Sequence, residues 1–318
     1  MVVAVGLATA GCGGGSAVAR PSGPFAEALA TVGGGGASGS LGVGWAEPRG
    51  ISAPWLGREL VADALGPNAA TVIQQAPDLR RRFGFNPIAA ERLISVGGSY
   101  AFGLRLDGVD AHGLQRRLVE AGARQHDEGQ VDLVNAADYA VVPEPLLRAG
   151  ITGLGARDAF APDMTLLTIS DTARDALLGR GDRLIDEPTY AAAAHCLGDV
   201  VVARMIPDNL LLSTDLGVNS IAIGVSGAKR EVLCVLGGSP QRAEEVASAL
   251  ERSLAAGARE PVTHEPIGDA VAQARVSRES YEGVQAVRAE LTLAAGRSPG
   301  FLFETVSHGS LAQMIGGT

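Results

Sequence analysis

Residues 231–259, EVLCVLGGSPQRAEEVASALERSLAAGAR, carry the pattern on which the fold turns. An apolar run from Val232 to Leu236 stops at Gly237-Gly238, and a different periodicity starts after Ser239-Pro240. Ala243, Val246, Ala247, Leu250 and Leu254 recur at three-and-four spacing, which draws one apolar stripe along a helix. Ser239 supplies the N-cap, and Pro240 fills the first helical position, where its missing N–H is no loss. The stretch reads as strand, turn, helix. Residues 100–124, YAFGLRLDGVDAHGLQRRLVEAGAR, follow the same plan, and both stretches end in Ala-Gly-Ala-Arg. The repeat agrees in pattern more than in identity. It predicts an α+β fold of two similar halves, residues 24–206 and 207–318, each a mainly antiparallel sheet with helices packed on one face.

Strands and helices alternate around these two units. PFAEALATVGGGG reads as a helix, with Pro24 at its start and glycines beyond its end. SLGVGW reads as a strand, and GRELVADALG and AATVIQQAPDLRRRFG as helices. ERLISVGG and SYAFGLRLD read as strands paired through a Gly-Gly-Ser turn. The run MTLLTISDTARDALLGRGDRLIDEPTYAAAAHCLGDVVVARMIP gives strand, short helix, extended loop, second helix and strand. FLFETVSHGSLAQMIGG closes the chain as an amphipathic helix that docks on the sheet.

The segment between the two units carries a resemblance. Asp171, Ala173, Leu184, Asp186, Pro188, Tyr190 and Ala193 follow a pattern similar to that of a family of uncharacterised bacterial cell-envelope lipoproteins of actinobacterial type. The resemblance covers residues 90–206. It implies a duplicated α+β module and carries no catalytic residues.

The N-terminal MVVAVGLATAGCGGGS places one cysteine after a short apolar run and before a glycine tract. Leu7-Ala8-Thr9-Ala10-Gly11-Cys12 resembles the bacterial lipoprotein signal, which implies a signal peptide over residues 1–11 and lipidation of Cys12. Residues 12–23 then form a flexible tether. Thr9 stands where such signals carry an aliphatic residue, and no Lys or Arg precedes Arg20, which points to a translation start further upstream. A first strand with a glycine loop, or a disordered leader, are the competing readings. Beyond residue 11 no apolar run reaches the roughly 20 residues of a membrane helix.

Composition narrows the function. The chain has 318 residues, 46% of them hydrophobic, enough for a real core. Lys229 is the only lysine, and the excess of Ala, Gly and Arg matches the coding bias of a GC-rich, actinobacterial genome. A net charge of −9 argues against nucleic acid or an anionic lipid surface as a broad partner. Arg80-Arg81-Arg82 is the local exception, and cations at a helix end are favoured without any ligand. With Cys12 acylated, Cys196 and Cys234 remain as a disulfide pair in an exported protein. Two buried free thiols are the alternative if the chain stays in the cytosol.

No reactive constellation emerges. His112, His126, His195, His264 and His308 show no metal-ligand spacing. His195 and Cys196 are adjacent on a helix and so point apart. Gly224-Val225-Ser226-Gly227-Ala228 falls one residue short of a nucleophile elbow and sits at a hairpin. No dinucleotide or phosphate loop occurs, and no cofactor is expected. Trp45 and Trp55 bracket the turn-rich AEPRGISAP and are the candidates for ligand or partner contact, against burial in a core. The expectation is a lipoprotein held by its anchor at the outer face of the cytoplasmic membrane. Its domain binds an envelope protein or a ligand without catalysis. The first alternative is a carrier of lipid or another apolar molecule in a cavity between sheet and helices. The second is a hydrolase whose site is assembled from distant residues.

Overall fold

The computed structural model describes residues 21–34, 41–48, 55–97, 102–120, 123–126, 130–132, 157–161, 164–168, 170–208 and 216–317. Its helices are α1 (Pro24–Leu29), α2 (Arg58–Leu65), α3 (Pro67–Gln74), α4 (Ala76–Phe83), α5 (Ala111–Glu120), α6 (Asp171–Leu177) and α7 (Pro188–Leu197). They continue with α8 (Pro240–Ser253), α9 (Ile267–Ala270), α10 (Phe301–Ser307) and α11 (Ser310–Met314). The first strands are β1 (Gly42–Ala46), β2 (Arg92–Gly97), β3 (Phe102–Asp107), β4 (Arg124–His126), β5 (Gln130–Asp132) and β6 (Arg157–Ala161). The rest are β7 (Met164–Thr168), β8 (Val202–Pro207), β9 (Ser220–Gly227), β10 (Arg230–Leu236), β11 (Val271–Tyr281) and β12 (Val284–Leu293). The α+β class holds.

The strands join in a single antiparallel sheet of twelve, in the order β11-β12-β10-β9-β8-β1-β2-β3-β7-β6-β5-β4. The two expected sheets are therefore one, sewn together where β1 pairs β8 with Trp45 opposite Ala203. Reading outward from that pair, the order is 1-2-3-7-6-5-4 on one side and 8-9-10-12-11 on the other, so the first five strands of each side follow a like plan and β5 and β4 extend only the first. Helices cover both faces, not one. On the first face α2 to α5 and α8 to α11 share a core with Leu93, Leu104, Ile221 and Leu233. On the second face α1, α6 and α7 share a core with Trp45, Ile94, Ala203 and Cys234. The alternation of Leu93 and Ile94 between these cores is the period-two geometry of a strand buried on both sides.

The second face is closed tightly. Ala191, Ala192, Ala193 and Ala194 of α7 are all buried, and small side chains let that helix lie close on the strands. Cys196 at the end of α7 meets Cys234 of β10 with an S–S distance of 2.13 Å, so the expected cysteine pair forms. Residues between 170 and 190 do structural work here. Ser170 caps α6, its Oγ accepting from the Ala173 N–H at 3.1 Å, and Asp171 stands in the first turn. Pro188 opens α7. The buried Tyr190 hydroxyl donates to the Leu41 carbonyl at 2.7 Å, and burial pushes its pKa well above the ordinary phenol range.

Two predicted helices are each broken in two. Pro77 lacks the N–H that a continuous helix would need, so the stretch before Gly84 divides into α3 and α4. Gly309, at φ 76, separates α10 from α11. Among the described residues no helix is long and apolar enough to cross a membrane.

Candidate functional site

The first face carries a cleft at the seam of the sheet. Its walls are α2–α3 on one side and α10–α11 on the other, and β8 and β9 form its floor through Ile206 and Ile221. Ala62, Ala70, Leu216, Val306, Leu311 and Ala312 make it largely apolar. Its volume is about 460 Å³, within the roughly 300–1,000 Å³ of small-molecule sites. A smaller chamber of about 200 Å³ adjoins it, lined by Gly42, Gly44, Ser95, Gly97, Phe102 and Met205 among others. Gly66, Pro67, Arg204 and Ile206 line both spaces, so the two meet at Arg204.

Local sequence builds this junction. Gly66 ends α2 and begins α3 at φ 84, a conformation that L side chains resist. A Cβ there would lie 3.6 Å from the Arg204 guanidinium. Gly44 lets the end of α2 rest on the sheet, since a Cβ at that position would come within 2.4 Å of the Ala64 carbonyl oxygen. Ser95 ties the same helix end down by donating its hydroxyl to the Leu65 carbonyl at 2.6 Å.

Arg204 is the charged feature of the site. Its Nη1 donates to the Asp63 carbonyl oxygen across 3.4 Å, and no ion pair joins it to a carboxylate among the described residues. Burial lowers its pKa below the usual arginine range, while the Asp63 charge works the other way. It remains a cation at neutral pH. Desolvation raises the Asp63 carboxyl above its ordinary value; Arg204 draws it back, and Glu304 and Glu59 push it up.

A second charged group inside the protein is a structural anchor. Glu231 of β10 is fully buried, and its carboxylate accepts the backbone N–H groups of Gly300, Phe301 and Leu302 at 2.6, 3.0 and 2.8 Å. These are the unpartnered donors at the start of α10, so the strand holds the helix by its N-terminus. Burial nonetheless moves the Glu231 pKa upward, against the pull of those three donors.

The sequence candidates fall in different places. Cys12 and most of the 12–23 tether lie outside the described residues. Cys196 and Cys234 come together on the second face, away from the cleft. Of the two readings for Trp45 the structure takes burial: it is fully buried in the second-face core beside Phe25, with ring centroids 6.1 Å apart, and does not line the cleft. The reason is its register on β1, which turns odd-numbered side chains toward α1 and α7. Trp55 is half-buried against the first-face core and does not line the cleft.

Arg204 and Asp63 were not singled out from sequence. The available signal was an arginine inside the apolar strand VVVARMIP. His195 stacks on Tyr281, with centroids 4.7 Å apart, and Ser226 sits at the β9–β10 hairpin as its sequence context predicts. Among the described residues no three His, Cys, Asp or Glu side chains cluster to hold a metal. No protein-family model, curated protein or solved structure matches the chain.

Proposed function

We propose that this chain is an extracytoplasmic lipoprotein, held at the outer face of the cytoplasmic membrane through Cys12, whose α+β domain binds a largely apolar ligand without catalysis. The cleft between α2–α3 and α10–α11 carries the reading. It favours a carrier over a purely protein-binding domain, because its lining is apolar and its size suits a small molecule. The Cys196–Cys234 pair supports a location where disulfides persist. The like order of the first five strands on either side of the β1–β8 seam, 1-2-3-7-6 and 8-9-10-12-11, is what supports descent from a duplicated module, as the resemblance to envelope lipoproteins implies. The net charge of −9 argues against nucleic acid as a broad partner.

Two measurements test this reading. Metabolic labelling with a fatty acid should mark the wild-type chain and leave Cys12→Ala unmarked. Native mass spectrometry of the full chain, gently extracted from its host membrane, should show a bound apolar molecule. Ala312→Trp, which fills the cleft, should release that molecule. Equal labelling of the two chains would remove the anchor, and an adduct retained by Ala312→Trp would remove the cleft as the site.

A further inference from the structure

We infer that the site selects an amphipathic anion, with its apolar chain in the larger cleft and a single anionic head in the smaller chamber against Arg204. This rests on the cleft being a ligand site and adds the class of ligand. The two connected spaces differ in chemistry. Apolar side chains, among them Ala70, Ile221, Val306 and Leu311, dominate the larger one, where Asp63 and Arg204 are its charged residues. In the smaller one Arg204 is the only charged lining residue among the described residues, and Gly42, Gly44 and Gly97 leave main chain in place of side chains.

Arg204 therefore stands at the junction as a cation with spare donors. A guanidinium offers five N–H groups, and this one donates a single long bond, to a carbonyl, among the described residues. A neutral ligand that filled both spaces would strip water from that charge and return at most an uncharged acceptor. An anionic head adds countercharge beyond that of Asp63 and accepts from several of the idle donors, as a carboxylate or phosphate does with arginine. A cationic head in the smaller chamber would meet Arg204 with no carboxylate among the described lining residues to offset it. Asp63 lines only the larger space, so its charge acts on Arg204 from the cleft side and its carboxylate does not face the chamber.

Calorimetric titration of the full chain separates the two levels of the claim. The ligands are decanoate, decyl phosphate, decanol and acetate, each against wild type, Arg204→Gln and Arg204→Lys. Wild type should bind decanoate or decyl phosphate roughly tenfold or more tighter than decanol, the scale of one charge-assisted hydrogen bond. The ratio of the two anions identifies the head as carboxylate or phosphate. Acetate, which lacks the chain, should bind far more weakly than decanoate.

Arg204→Gln should bring both anions down to the level at which that same variant binds decanol. Arg204→Lys should keep part of the preference. Equal binding of decanoate and decanol by wild type, or a preference that survives Arg204→Gln, overturns the inference while leaving the cleft as an apolar site. No binding of any ten-carbon ligand overturns the cleft reading and this inference together. If Arg204→Gln loses decanol as well, Arg204→Lys decides: it must still prefer the anions, or the inference falls.

Discussion

The two faces of the sheet use similar materials to opposite ends. On the second face one helix, α7, lies along the strands with four consecutive buried alanines, and a disulfide pins its last turn to β10. On the first face two helix groups arrive from distant parts of the chain, α2–α3 and α10–α11, and stop short of each other over β8. Alanine thus serves close packing on one side and lines open space on the other. Abundance of small residues does not decide between a packed core and a cleft. The number of separate elements that must meet over the same strands decides it.

The comparison can be broken most forcefully at the packed face. Replacing Cys196 and Cys234 together by Ser removes a cross-link that closes a 38-residue loop. Chain entropy values that constraint at about 4 kcal/mol, so denaturant titration should show a loss of that order. A loss under about 1 kcal/mol would mean that alanine packing alone secures α7.

Glu231→Ala addresses the other face. It strands three buried N–H groups at the start of α10, and each unsatisfied buried group costs about 1–3 kcal/mol before relaxation or water entry softens it. We expect a net loss of about 2–3 kcal/mol. Hydrogen exchange at Gly300, Phe301 and Leu302 should rise with it, while exchange in α7 stays as in wild type. Faster exchange spread evenly over both faces would show that Glu231 supports the whole sheet and not this wall of the cleft alone.

Much of this architecture is legible in the sequence, and the exceptions have physical causes. The stripe Ala243-Val246-Ala247-Leu250 gives α8 at once, because an amphipathic helix announces which side it buries. The β9–β10 hairpin is equally plain. Burial of the sheet on both faces also leaves a trace. Ile221 to Val225 has no polar residue at alternate positions, as a strand covered on both sides requires. Reading helices onto one face overlooked it.

Joining the two expected sheets depends on β1 pairing β8 across some 160 residues, and no local pattern encodes that. The cleft is illegible for the same reason. Asp63, Arg204 and Leu311 lie on three elements that only the folded sheet brings together. The turn-rich flank of Trp45 left surface contact and burial both open, and its position on a central strand puts it inside.

The most direct test of the open and the closed face is a paired thermal melt of Ala312→Leu and Ala192→Leu. Both substitutions add the same volume, one at the cleft wall and one beneath α7, where Ala192 has no exposed surface. The account predicts that Ala312→Leu melts close to wild type, whereas Ala192→Leu loses about 1–3 kcal/mol to overpacking. Equal losses in the two chains would contradict it, because the first face would then be as full as the second.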